Sequence, residues 1–217
     1  MKKVLLVVLS AVVIMLAGCK KDSPVKPTEG PTSDSYWPVT AGNSWTYRDV
    51  TGGGAGTFTI KMTGETYTIN NKTYYTSSSL QNGVNVIAYI YEQDHVYALR
   101  DTLDNLSTSI ELQLCDDAEP TGYTWTMQCT DDGTLSGVPV QSVNQIVSAN
   151  DDMTVNGKTY HNVIHTQVKL QYDLGKGFET VAIYDFYLAK GVGMIEADTS
   201  SGTTLIESET LASYSVH

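Results

Sequence analysis

Cys115 and Cys129 carry thiols, which can form a disulfide or act as nucleophiles. In an exported protein two such thiols usually pair, and their separation of 14 positions leaves room for one turn between adjacent strands. By the loop-entropy account, a disulfide between them would stabilise the fold by roughly 3 kcal/mol. Two separate buried thiols are the alternative. Neither cysteine lies in a motif typical of a catalytic thiol, so we expect a structural disulfide.

Carboxylates closely follow both cysteines. Asp116 and Asp117 come directly after the first, and Asp131 and Asp132 lie just beyond the second. If the disulfide forms, the four side chains could converge, and clusters of oxygen ligands are what Ca²⁺ binds. Their spacing does not match a calcium-binding loop, however, so two solvated acidic loops are the favoured interpretation. No metal and no other cofactor is therefore expected.

His161 and His165 have the spacing that chelates zinc from a helix. The intervening Val163 and Ile164 instead predict a strand. At about 3.3 Å per residue the two imidazoles would lie about 13 Å apart, whereas zinc–nitrogen bonds are near 2 Å. We therefore expect two surface histidines and no shared metal.

Asp185 is the one charged residue in the apolar run 181–188. Strand alternation places it on the face of Ile183 and Tyr187, and an outward-facing position is favoured over a polar anchor in a cleft. The chain has neither a G-x-S-x-G elbow nor a glycine-rich phosphate loop before a helix. The sequence therefore predicts no catalytic residues, identifies no ligand-binding residues, and favours a protein that is not an enzyme.

The elements that would position these residues are strands. Residues 86–91 and 181–187 are rich in β-branched and aromatic side chains, as strands prefer. Asn70-Asn71 and Asn156-Gly157 suit tight hairpins with positive φ. Helical periodicity over ten or more residues is absent after residue 36. The sequence thus predicts a single β-rich domain over 36–217, all-β and antiparallel, with short helices at most.

Apolar side chains occupy both faces of 86–91, so this strand should be covered on both sides. Without a long helix, the sheet must cover itself by closing into a barrel or by folding into a sandwich. A wide barrel would leave a ligand cavity, whereas a sandwich would pack full.

Three short segments in the first half of the domain resemble three segments in the second half, in the same order along the chain. Residues 42–46 (GNSWT) resemble 122–126 (GYTWT), residues 68–74 resemble 154–160, and the hairpin at 91–96 resembles that at 187–192. This order suggests two related halves. Coincidence among common turn sequences is the alternative.

Motifs near both ends of the domain resemble a known group. Tyr36-Trp37-Pro38-Val39, the G-N-x-W-x-Y strand at 42–47 and the A-x-G-V-G hairpin at 189–193 are similar to those of uncharacterised lipoproteins of the Bacteroides group. The resemblance implies a curved antiparallel sheet, a half-barrel similar in outline to the lipoprotein-localisation carriers. It therefore favours the barrel-like arrangement over the sandwich. It implies no activity.

The residues of these motifs have structural explanations. Trp45 and Trp125 each bring a large apolar area into the core, and each indole N–H needs a partner. Gly191 and Gly193 supply a positive φ or a close approach where a side chain would clash.

The N-terminus has the features of an export signal. Lys2 and Lys3 precede an apolar run of 13 residues at 4–16, which is shorter than the roughly 20 residues that span a bilayer. The run ends in Leu16-Ala17-Gly18-Cys19, which matches the bacterial lipobox. We therefore predict a lipoprotein signal peptide over 1–18 and lipidation of Cys19.

Residues 19–35 are expected to form the acylated cysteine and a solvated tether. Three prolines and small polar residues follow Cys19, and an extended tether would reach on the order of 50 Å. One acyl chain binds a membrane weakly, so several chains, palmitate among them, are expected on Cys19. Lys21-Asp22 resembles the sorting signals of surface lipoproteins. The outer membrane is the predicted location, on its periplasmic face or at the cell surface.

The net charge limits the partners. It is −11 for the whole chain and −13 once Lys2 and Lys3 are removed with the signal peptide. This balance argues against nucleic acid and against a broad electrostatic hold on anionic lipid. The predicted function is a membrane-anchored, non-enzymatic lipoprotein that binds an apolar ligand or a partner protein in the envelope. A structural subunit of an envelope complex and an envelope hydrolase with a dispersed site are the alternatives.

Overall fold

A computed structural model describes residues 34–81, 84–103 and 108–217. The predicted signal peptide, Cys19 and all but the end of the tether lie outside these ranges, so the lipidation and the domain boundaries stay predictions. The described ranges contain strands, turns and loops and no helix. They accordingly offer no apolar helix of a length that could cross a membrane.

Thirteen strands follow one another along the chain. They are β1 (Ser44–Thr51), β2 (Gly54–Ile69), β3 (Lys72–Gln81), β4 (Val84–Gln93), β5 (Val96–Leu103), β6 (Thr108–Asp116), β7 (Thr124–Gln128), β8 (Thr134–Leu135), β9 (Val138–Val155), β10 (Lys158–Asp173), β11 (Phe178–Ala189), β12 (Gly193–Ser201) and β13 (Thr204–Ser215). The predicted Asn turns connect β2 to β3 and β9 to β10, with positive φ at Asn70, Asn71, Asn156 and Gly157.

The strands form one antiparallel sheet in the order β6-β5-β4-β3-β2-β1-β13-β12-β11-β10-β9-β7, and β8 pairs with β9. This confirms the all-β, antiparallel prediction. The sheet is open, because its edge strands β6 and β7 do not pair with each other over the described residues. The curved half-barrel is therefore the correct form, and a closed barrel and a two-sheet sandwich are not found.

The strand order also repeats. Read across the sheet from β6 to β7, the first half runs from β6 back to β1 and the second runs from β13 back to β9 and β7, so both halves are crossed in the same direction. Trp45 lies in β1 and Trp125 in β7, the first strand of each half. The Asn turns and the long hairpins occupy matching places as well. The three similar sequence segments therefore occupy matching places in two six-stranded halves, as the interpretation of two related halves predicts.

The two free edges meet without forming a ladder. The Trp125 indole donates a 3.1 Å hydrogen bond to Gln113 Oε1 on β6, and the Glu111 amide donates to the Cys129 carbonyl at 2.7 Å. Strand β6 also lies against β9 and β10 across the core. The corresponding junction between β1 and β13 is a ladder that extends from Ser44 to Thr51. The β6–β7 seam is thus the weaker of the two junctions.

One face of the sheet, here called the inner face, carries the core. Trp45 and Tyr47 point inward from β1, and both donate to backbone carbonyls of the other half: Trp45 to Val192 at 2.6 Å and Tyr47 to Met194 at 2.8 Å. Trp37 packs beside Trp45 with ring centroids 6.0 Å apart. The segment that precedes β1 therefore packs into the core.

The outer face of β4 is covered less fully than expected. Ile87 remains 38% exposed. Tyr89 and Tyr91 instead pack their rings against Tyr74 of β3 at centroid distances of 6.4 and 5.7 Å. Apolar residues on both faces of this strand thus reflect a tyrosine cluster on the outside of the sheet and not a second layer.

Candidate functional site

The two cysteines are separate buried thiols, so the predicted disulfide is not found. The Cys129 carbonyl accepts from Glu111, four residues before Cys115 on β6, which corresponds to a displacement of about 13 Å along the strand. A disulfide needs Cα atoms within about 7 Å. Burial raises the pKa of Cys129 to about 11 and that of Cys115 well above its usual value, so neither thiol is activated.

The four aspartates considered for calcium have separate partners. Asp117 contacts His95 Nδ1 at 2.5 Å, and Asp116 accepts from the Ala118 amide at 3.2 Å. Asp132 accepts from Thr134 within its own loop. Asp131 pairs with Arg100 Nη2 at 2.7 Å, and the hydrogen bond from Arg100, together with its charge, lowers the pKa of Asp131. No group of three metal-ligating side chains occurs in the described ranges.

The two histidines also lie apart. His161 is exposed and pairs with Asp152 at 2.7 Å. His165 is largely buried, because its ring stacks on Tyr187 with centroids 4.2 Å apart and its Nε2 lies 2.7 Å from Asp185. The hydrogen bond from His165 lowers the pKa of Asp185. Asp185 is therefore on the outer face as predicted, whereas His165 is less exposed than expected.

A polar cluster on the outer face was not anticipated. Arg100 on β5 and Glu111 on β6 are cross-strand partners, and each is 6% exposed. Arg100 makes two hydrogen bonds to Asp131, and Glu111 accepts from Lys72 and from Tyr74. Every charge in this cluster has an opposite partner, so it fastens the loop after β7 to the first half and leaves no free group for a ligand.

The inner face, in contrast, holds polar groups without partners. Asn144 on β9 and Thr166 on β10 are fully buried, and neither the Asn144 amide nor the Thr166 hydroxyl has a hydrogen-bond partner among the described residues. Each belongs to a row of cross-strand neighbours. The first row is Thr166, Phe186, Ala197, Glu209, Asp49 and Gly56, and the second is Asn144, Val168, Tyr184, Thr199, Glu207, Thr51 and Gly54.

These two rows bring three carboxylates together at the β1–β13 junction. Asp49 is the direct cross-strand partner of Glu209, and Glu207 lies two residues before Glu209 on the same face. Asp49 has a buried carboxylate oxygen without a hydrogen-bond partner in the described ranges. We call Asp49, Glu207 and Glu209 the inner carboxylates.

Burial and mutual repulsion perturb all three groups. Burial, followed by the charges of Glu207 and Asp49, raises the pKa of Glu209 to about 8. Burial and the charge of Asp49 raise the pKa of Glu207, and burial alone raises that of Asp49. Because no cation among the described residues offsets these effects, the inner carboxylates are an uncompensated acidic group in this part of the chain.

Glu209 has small residues near it in its cross-strand row. The residue itself is partly exposed. The flanking positions in its row are small, Ala197 on one side and Gly56 beyond Asp49 on the other. The side chain of Glu209 therefore has small neighbours in its row besides Asp49.

Aromatic rings lie on the strands on both sides of the inner carboxylates. Tyr184 and Phe186 stack on β11 with centroids 6.0 Å apart, and Tyr47 and Phe58 stack on β1 and β2 at 5.4 Å. The sequence reasoning missed the site, although alternation along 207–211 places Glu207 and Glu209 on the face of Leu211. The missing information was that Leu211 belongs to the core.

Comparison with known proteins supports the fold. No protein-family model and no curated protein matches the sequence. A solved structure described as a lipoprotein from Parabacteroides distasonis aligns with a TM-score of 0.52 at 12% identity, over 84% of this chain and 99% of that chain. An exported protein with a YmcC-like fold from Bacteroides fragilis aligns with a TM-score of 0.51 at 9% identity, over 82% of this chain and 98% of that chain. The chain therefore has the fold of Bacteroides-group exported proteins and lipoproteins, as its end motifs predicted.

Proposed function

We propose that this protein is a lipid-anchored, non-enzymatic component of the cell envelope whose folded domain binds a small molecule on its inner face. The lipobox at Cys19 supports the anchor. The fold shared with a lipoprotein and with an exported protein supports the location in the envelope. Anchoring at the outer membrane is the form that we favour, because Lys21-Asp22 resembles a surface sorting signal.

The observation that carries the binding function is the pair of unpartnered polar side chains, Asn144 and Thr166. Nearly all buried polar groups in proteins have a hydrogen-bond partner. Leaving one unpaired costs about 1–3 kcal/mol. Such a cost is typical of functional sites, where the missing partner belongs to a ligand.

The edges of the sheet offer a way to this face. Strands β6 and β7 are joined through one side-chain and one backbone hydrogen bond, Trp125 to Gln113 and Glu111 to Cys129. A junction with few hydrogen bonds opens at lower free energy than a full ladder. The inner face combines apolar rings with polar groups, so the ligand should be amphiphilic and not purely apolar.

Isosteric variants test this function. Thr166→Val removes the unpartnered hydroxyl, so it should leave the melting temperature unchanged or raise it, and should deplete the bound molecule. Thr76→Val is the matched control, because Thr76 is 2% exposed and its hydroxyl is bonded to Thr63 and to the Glu65 carbonyl. It should lower the melting temperature and retain the ligand.

Both variants would be purified as the mature lipoprotein in a mild detergent and compared by native mass spectrometry and thermal unfolding. A small molecule that is retained by the parent and by Thr76→Val, but lost from Thr166→Val, supports the proposal. A parent protein without any bound molecule contradicts it. Equal destabilisation by the two threonine variants would also contradict it, since Thr166 would then be a structural residue.

A further inference from the structure

We propose that Asn144 and Thr166 bind the head group of a neutral amphiphile, an uncharged hydroxyl or primary amide that both donates and accepts hydrogen bonds. This inference rests on the proposed function and names the chemical class of its ligand. It is carried by two buried polar side chains without partners, which lie next to each other in uncharged surroundings.

Asn144 and Thr166 are close neighbours on the inner face. Asn144 on β9 is the direct cross-strand partner of Val168 on β10, and Thr166 lies two residues before Val168 on the same face. Diagonal neighbours of this kind are about 7–8 Å apart in an antiparallel pair. The two side chains do not bond to each other. At this separation, one small group between them can contact both.

The two side chains present donors and acceptors at the same place. The Asn144 amide offers two N–H donors and a carbonyl oxygen, and the Thr166 hydroxyl can donate or accept. These atoms are buried, and none has a hydrogen-bond partner among the described residues. A hydroxyl or a primary amide can serve both the oxygen and the nitrogen of Asn144, whereas an ether or a ketone can only accept. The head group of the ligand therefore needs a donor as well as an acceptor.

A third polar side chain lies beside this pair. Ser142 is fully buried two residues before Asn144, on the same face of β9. Its hydroxyl lies beside the Cys129 thiol, which is a weak hydrogen-bonding group. Ser142 therefore extends the polar site along β9.

The surroundings of the site are uncharged. The direct cross-strand partners of the two residues are all apolar: Trp125, Ile146, Val168 and Phe186. In the row of Thr166 the first carboxylate is that of Glu209, three strands away, which corresponds to roughly 14 Å at the usual strand spacing. A charged head group beside Thr166 would lose its water without gaining an opposite charge. The site therefore favours an uncharged head group.

The site also lies next to the seam between β6 and β7. Trp125, the cross-strand partner of Asn144, is the residue whose indole bonds to Gln113 across this seam. Asn144 is thus one strand away from the free edge of the sheet. Opening of the seam would bring a molecule directly to Asn144, and the apolar partners around it suit an apolar chain behind the head group.

Binding of matched eight-carbon probes to the mature lipoprotein in a mild detergent tests the inference. Octan-1-ol and octanamide carry head groups that donate and accept, octan-2-one only accepts, and octanoate and octylammonium are charged. Isothermal titration calorimetry would be used, with injections into detergent alone subtracted. The alcohol and the amide should bind at least tenfold more tightly than the other three probes.

Two leucine variants assign this preference to the site. Asn144→Leu removes the amide and keeps a side chain of similar size, so it should abolish the preference. Gln145→Leu is the matched control, because Gln145 is the next residue on β9 and pairs with Gln167 on the outer face. It should retain the preference. If Asn144→Leu does not fold, Thr166→Val replaces it, with an expected loss of at least tenfold in affinity for octan-1-ol.

Each outcome decides the inference. A preference for the alcohol and the amide that Asn144→Leu abolishes and Gln145→Leu retains supports it. Equal affinity for octan-1-ol and octan-2-one, tighter binding of a charged probe, no binding of the alcohol and the amide, or equal losses in the two leucine variants overturns it. A charged molecule that co-purifies with the parent and is lost from Thr166→Val would overturn this inference while upholding the proposed function. A parent protein that holds no molecule and binds none of the probes contradicts both.

Discussion

The indole of Trp45 lies so close to Gly193 that a Cβ atom at Gly193 would stand 2.9 Å from Nε1 of Trp45. The same nitrogen donates to the carbonyl of Val192 at 2.6 Å. The G-N-x-W-x-Y strand and the A-x-G-V-G hairpin, about 150 residues apart in the chain, are therefore two sides of one contact. The glycine is present because the tryptophan of the other motif occupies the place of its side chain.

Gly193→Ala should destabilise the fold by roughly 2–4 kcal/mol, through the close contact and through strain at a φ of +113°. Gly122→Ala is the control, because Gly122 has a φ of +89° and open space where its Cβ would lie. It should show the cost of the backbone conformation alone. Thermal or urea unfolding of both variants measures the difference, and equal losses would show that the Trp45 contact contributes nothing.

Cys115 and Cys129 should resist a thiol reagent in the native, unreduced protein and react once it is unfolded. Both are completely buried and their pKa values are raised by burial, so reactive thiolate is scarce. A reducing agent should leave the melting temperature unchanged. An unreduced, unfolded chain lighter by two hydrogens, with no reactive thiol, would restore the disulfide instead.

The stability of the unliganded domain should fall as pH rises from about 5 to about 8. Burial and the charges of Glu207 and Asp49 raise the pKa of Glu209 from 4.5 to about 8, so in this window the folded state holds a proton that the unfolded state releases. Unfolding then releases a proton, and the free energy of unfolding decreases with pH. Glu209→Gln should flatten this dependence in urea titrations at several pH values. A parent protein with pH-independent stability across the window would contradict the raised pKa.

Cys19→Ala should abolish incorporation of labelled fatty acid and release the protein from the membrane fraction, because the acyl chains are the expected anchor. Cys115→Ala serves as the control, since it removes a thiol and leaves the lipobox intact. A Cys19→Ala variant that still sediments with membranes would show that another part of the chain holds it there.

Local patterns were sufficient to predict the elements of this fold. The Asn turns at 70–71 and 156–157 specify hairpins through positive φ, and the β-branched runs specify strands. The repeated order of motifs also predicted the repeated order of strands. These signals are local, so they do not depend on how the distant parts of the sheet meet.

Residues whose role depends on register were predicted poorly. Cys115 and Cys129 are close enough in sequence for a disulfide, but the offset between β6 and the end of β7 separates them. Irregularities between Thr46 and Tyr47 and near Ser200 shift the pairing of β1, β12 and β13. Such shifts change which side chains face inward. The inner carboxylates therefore became visible only with the pairing in place.

An experimental structure of the lipoprotein, purified without added ligands, tests the central claim most directly through the electron density next to Asn144 and Thr166. The proposal predicts a bound organic molecule on the inner face, within hydrogen-bonding distance of the Asn144 amide or the Thr166 hydroxyl. Ordered water alone at these groups, or protein partners that satisfy both of them, would contradict the binding function.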